Sequence, residues 1–203
     1  MKTHLAAFAV LATSLLVNTA HAQTRTAPAS NDEWTYRQKQ QGANEEAKEL
    51  HPSFSIAFDP KPNKLVLASA NKKSGQATIW NVKGTLDKNV CILDIVANEA
   101  LGIANSCNIA LTPGMTWNAD GTKRQFKVIG QESVQTPAGK FDAIRIESNK
   151  QVADLGETKR YRTVYWYSAE VKGMVRVERE VFGPSGARVS NTVEELESVK
   201  LAK

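Results

Sequence analysis

From residue 124 onward, apolar and polar side chains alternate with a period of two, and the alternation is broken at intervals by turn residues. That pattern predicts strands over 124–134, 141–150, 160–168, 174–182 and 188–198. Gln135-Thr136-Pro137-Ala138-Gly139-Lys140 places proline and glycine where a tight turn needs them, so the first two segments form a hairpin. The stretches 169–173 and 183–186 supply the next two turns. Upstream, shorter segments rich in Val, Ile, Thr and aromatic residues predict strands over 34–39, 54–58, 65–70, 77–82 and 90–96. Asn44 to Leu50, followed by His51-Pro52, reads as a short helix stopped by proline, and 97–112 as the least strand-like part, with room for one helical turn.

The expected fold is therefore mainly β, a curved antiparallel sheet of meander topology that can coil into a half-barrel, with little helix. Splitting each strand by face groups Ile144 and Ile146 with Val164, Trp166, Val175 and Val177 as core. The opposite face collects Arg145, Glu147, Tyr161, Thr163, Tyr165, Tyr167, Arg176, Glu178 and Glu180. Tyrosine offers apolar area with a hydroxyl, and arginine offers planar donors for carboxylate or phosphate. Arg145, Glu147, Tyr161, Tyr165, Tyr167, Arg176 and Glu178 are accordingly the candidate binding residues. The plainer role for the same face is cross-strand pairing that stabilises the sheet.

The N-terminus changes the compartment. Lys2, the apolar run 5–17 and Ala20-His21-Ala22 form a secretory signal cleaved after Ala22, and the run is too short to span a bilayer. Residues 23–32 read as a flexible leader and 33–203 as a single β-rich domain. No Cys follows the cleavage site, so a soluble periplasmic protein is expected. Without Lys2, the 26 basic residues fall to 25 against 21 acidic ones, with no basic cluster beyond pairs, which argues against nucleic acid.

Export also decides how the 2 cysteines read: Cys91 and Cys107 are expected to form one structural disulfide. Removal of the signal takes His4 and His21, leaving His51 as the single histidine, so a multi-histidine metal site is excluded and no metal or cofactor is expected. No phosphate loop or serine elbow is present, and Asn118-Ala-Asp120-Gly121 reads as a hairpin turn rather than a calcium loop. The same-face pairs Glu178/Glu180 and Glu195/Glu197 have the form a glycosidase uses, without a sugar cleft to accompany them.

The stretches Leu111-Thr-Pro-Gly-Met-Thr-Trp117, Val128-Ile-Gly-Gln-Glu-Ser-Val134, Thr136-Pro-Ala-Gly-Lys-Phe-Asp-Ala-Ile-Arg-Ile-Glu147, Val164-Tyr-Trp-Tyr167 and Gly173-Met-Val-Arg176 resemble a recurrent pattern of uncharacterised exported proteins of proteobacteria. Glu33-Trp-Thr-Tyr-Arg37 is similar to their opening strand. The resemblance implies a curved β-sheet protein of the envelope and carries over no enzymatic activity. The function expected is a periplasmic binding or accessory protein that holds an apolar, lipid-like or peptide ligand, or an envelope protein. The alternatives are an envelope hydrolase using His51, Glu147 or Glu178, and an assembly role through β-edge pairing.

Overall fold

The computed structural model describes residues 27–29, 31–43, 46–50, 101, 106–119, 124–153 and 157–202, together with the backbone of strands between 52 and 100 and of Asp154. These residues form β1 (Glu33–Gly42), β2 (Lys48–Leu50), β3 (Pro52–Asp59), β4 (Lys64–Asn71), β5 (Ala77–Trp80), β6 (Leu93–Asp94), β7 (Glu99–Ala100) and β8 (Thr116–Asn118). The long C-terminal strands are β9 (Gln125–Thr136), β10 (Gly139–Asp154), β11 (Glu157–Ser168), β12 (Gly173–Phe182) and β13 (Arg188–Lys200). Eleven strands share one antiparallel sheet in the order β5-β4-β3-β1-β13-β12-β11-β10-β9-β8, with β2 added to β1, while β6 and β7 pair separately. Its two ends do not meet, so the sheet is open, and there is no helix among the described residues.

The meander from β8 to β13 follows sequence order, as alternation and turn chemistry dictate. Trp117 lies opposite Phe126 across the β8–β9 hairpin, their rings stacked with centroids 5.3 Å apart. What joins the two halves is the pairing of β1 with β13, ten residue pairs running from Glu33–Lys200 to Gly42–Ser190. The expected helix over 44–50 is instead β2 where the chain is described: Lys48–Leu50 pairs with Gln38–Gln40. So short a segment cannot offset helix nucleation, whereas β1 offers it a ready row of backbone partners. In 97–112, Glu99–Ala100 is extended against β6, and Ile109 N–H closes a turn on Ser106 O (3.3 Å).

Bulges shape the sheet. An extra residue interrupts pairing beside Arg145/Ile146 in β9, beside Trp166/Tyr167 in β12 and beside Thr35/Tyr36 in β13. All three fall close to one row across the strands, and each bends its strand there. The burial of β10 changes phase at the same place. Phe141 and Ala143 are buried on one side of the crease, Ile144 and Ile146 on the other. The result is two cores. The first joins Phe126, Val128, Ile144, Ile146, Tyr165, Tyr167, Met174 and Val177 to Trp117 of β8 and to Leu101 and Leu111 before it. The second joins Trp34, Tyr36, Val134, Phe141, Ala143, Val164, Trp166, Val175 and Leu196. Ala138 N–H at the β9–β10 turn donates to Leu196 O on β13 (3.0 Å), a bond across the sheet that requires strong coiling.

The chain ends are tied together. Asp32 is fully buried and accepts from Ala29 N–H (2.7 Å), Ala202 N–H (2.7 Å) and Lys172 Nζ (3.3 Å). The last residue of the expected leader is thus a fixed part of the domain, because a buried carboxylate needs all the donors it can gather. Trp34 Nε1–H donates to Val171 O (2.8 Å) beside it, and the ring lies so near Gly173 that a Cβ there would meet the indole nitrogen at 3.0 Å.

Candidate functional site

Antiparallel register decides which side chains share a face. Ile144 lies opposite Tyr167 and Ile146 opposite Tyr165, whereas Arg145 lies opposite Trp166 and Glu147 opposite Val164. Directly opposed residues point to the same side. The tyrosines therefore belong with Ile144 and Ile146, and the charged residues with Val164 and Trp166. The expected face assignment is corrected on this point. Tyr165 and Tyr167 are 0% exposed within the first core, and Tyr161 follows them on the same side, half-buried. The six residues expected in the core are all buried, but in two clusters rather than one.

Arg145, Glu147, Arg176 and Glu178 do lie together. Their row runs Arg145–Trp166–Arg176–Glu195–Arg37 through five adjacent strands, β10 to β13 and β1, along the crease. Two guanidinium groups flank the Trp166 indole, at 5.7 Å (Arg145) and 5.5 Å (Arg176) from its centroid. The indole N–H donates to Glu132 of β9. Arg145 Nη2 donates to Glu147 Oε1 (2.6 Å), and the same oxygen accepts from Arg162 Nη2 (3.2 Å). Arg162 continues to Glu180 (3.0 Å), and Glu180 to Arg188 (3.2 Å). Arg176 bonds Glu178 and, at 3.2 Å, Glu195, which also accepts from Arg37 (2.7 Å).

The electrostatics follow from this geometry. The Arg37 guanidinium is held above its ordinary range by its hydrogen bond to Glu195, against partial desolvation. For Arg162, burial opposes the charge most strongly, yet the bond to Glu180 and the field and bond of Glu147 outweigh it, and its pKa also rises. Glu147 and Glu178, the candidate acids of a hydrolase, are each engaged by arginine. His51 and Cys91 lie outside the described residues, as do residues 1–22. Cys107 packs, partly buried, against the first core. No cluster of metal-ligating side chains occurs among the described residues. No helix among them is long and apolar enough to cross a membrane.

Sequence reasoning missed Glu132, Arg37, Arg162 and Glu195 as members of this network, because they arrive from other strands through register and bulges. It also missed the buried pair on the opposite face, Glu194, 1% exposed, with Arg179 (2.6 Å) and Gln38 (2.8 Å). A cavity of about 120 Å³ lies between the ends of β1 and β13, lined by Gln41, Gly42, Arg188 and Asn191, and is smaller than a drug-sized ligand requires.

Residues 102–193, a little under half of the chain, match the family described as DUF3108-like. No curated protein matches the sequence. Similar solved structures include a candidate exported protein with a YmcC-like fold from Bacteroides fragilis, at 13% identity and a TM-score of 0.42, covering 88% of this chain and 100% of that one. A candidate lipoprotein from Parabacteroides distasonis has 16% identity and a TM-score of 0.39, with the same coverage. A DUF1329 family protein from Desulfovibrio piger has 10% identity and a TM-score of 0.29, covering 85% of this chain and 86% of that one.

Proposed function

We propose that this chain is an exported accessory protein of the cell envelope that presents the charged, Trp166-centred face of its sheet to a protein partner. The observation that carries the reading is the row Arg145–Trp166–Arg176–Glu195–Arg37, which sets planar donors and carboxylates along a crease in the sheet. Export is supported by the signal-like N-terminus. Both signs alternate on the face, so its complement is a polar protein surface of mixed charge rather than a polyanion or an acyl chain. The segment matching the DUF3108-like family contains Arg145, Trp166 and Arg176 but stops before Glu195.

The test is cross-linking in intact cells with the mature protein expressed at its native level, comparing wild type with the Arg145→Ala/Arg176→Ala double variant. Exposed and half-exposed ion pairs contribute about 0–1 kcal/mol each, so the variant folds. A specific adduct with another protein that disappears in the variant supports the proposal. An adduct unchanged in the variant contradicts the assigned face, and the absence of any adduct in wild type contradicts a protein partner.

A further inference from the structure

The outer edge of β9 carries a second, separate inference. Val128 still has neighbours on that side: its N–H donates to Met115 O and its carbonyl accepts from Gly114 N–H, both at 2.9 Å. The bulge beside Ile129 then adds one residue, and the outward parity passes to Gln131, Ser133 and Gln135, while the even-numbered residues bond β10. Among the described residues, nothing pairs with β9 on this side beyond Val128. Gln131, Glu132, Ser133 and Gln135 are all exposed. The window 131–135 holds no lysine, no proline and no further bulge, and its single charge is Glu132.

We infer that this edge pairs with the same edge of a second copy, joining two sheets about a two-fold axis at Ser133. The window is limited by the bulge at one end and Pro137 at the other, and Ser133 is the middle of its three outward residues. Antiparallel self-pairing about Ser133 sets Gln131 opposite the partner's Gln135 and Glu132 opposite the partner's Val134. No like charges face each other, and every outward N–H and C=O finds a complement. The contact is short, well below the area of a permanent dimer, so association depends on concentration.

Register makes the test sharp. In a hydrogen-bonded pair the two Ser133 Cα atoms stand about 5.5 Å apart, within the range a disulfide spans. The two Gln131 Cα atoms stand about 15 Å apart, four residues along the strand at about 3.4 Å each and one interstrand spacing across. Mature protein carrying Ser133→Cys is expected to form a covalent dimer under mild oxidation, at several-fold higher yield than Gln131→Cys. Sedimentation of the wild type is expected to move from monomer to dimer as concentration rises. Ser133→Pro removes the central outward N–H without touching the β10 ladder, and is expected to stay monomeric. If Ser133→Pro does not fold, Ser133→Lys, which sets like charges face to face, serves in its place. Equal cross-linking by the Ser133→Cys and Gln131→Cys variants, a wild type monomeric at all concentrations, or capture of a different protein by the Ser133→Cys variant overturns the inference.

Discussion

Glu194 and Glu195 are neighbours in sequence with opposite fates. Glu195 sits half-buried on the charged face between Arg37 and Arg176, and Glu194 points the other way, almost fully enclosed with Arg179 and Gln38. Removing one member of a buried pair leaves the other uncompensated, at about 3–5 kcal/mol, whereas exposed pairs contribute about 0–1. Glu194→Ala is expected to lower the unfolding free energy in urea by about 3 kcal/mol or more, and Glu195→Ala by about 1 or less. The arginines make a different prediction. Arg37 and Arg162 are raised above the ordinary guanidinium range, so their contribution is complete through neutral and mildly alkaline pH and lost only as pH climbs through the folded pKa. The stability difference between wild type and Arg37→Gln is therefore expected to stay constant between about pH 7 and pH 10, checked by urea titration at both. A difference that shrinks by pH 10 would show that a group other than the guanidinium sets the contribution of this pair.

At the scale of elements, turn chemistry was the most legible feature. Pro137-Ala138-Gly139 predicts the hairpin, and the structure needs glycine there, since Gly139 has φ of +140°. Gly139→Ala is expected to cost about 1–3 kcal/mol by thermal or urea unfolding, through backbone strain alone. Strands with uniform alternation were equally legible. The faces were not, because β10 buries Phe141 and Ala143 toward one core and then Ile144 and Ile146 toward the other. A single-phase reading carries Ile144 and Ile146 onto the side of Val164 and Trp166, and it sends Tyr165 and Tyr167 to the solvent. The bulges that accompany the change add one residue each, and an extra residue such as Ile129 or Val175 has no compositional mark. Part of the candidate site survives this correction, Arg145, Glu147, Arg176 and Glu178, since register sets those four on one face and only the face of β11 between them is reversed.

For the whole molecule, the decisive contact is between the first and last strands. Nothing in the alternation of 33–42 names 188–200 as its partner, and the fully buried Asp32, tied to both Ala29 and Ala202, looks in sequence like part of a polar leader. Long-range pairing of this kind depends on the coiling of all the strands between, which the bulges set. Export remains a reading of residues 1–22, and it predicts the state of the cysteines. The mature protein from an oxidising compartment is expected to weigh about 2 Da less than its reduced form and to resist alkylation until reduced, with Cys91→Ser/Cys107→Ser less stable by about 3 kcal/mol. Two reactive thiols in native protein would reject the bridge.

The central claim is that the charged crease around Trp166 holds a protein partner. Its most direct measurement is native mass spectrometry of the mature protein purified gently from its own compartment, alongside Arg145→Ala/Arg176→Ala matched for stability. A bound protein retained by wild type and lost by the variant is the predicted result. A wild type that carries no other protein, or a variant that keeps the same one, would contradict the claim.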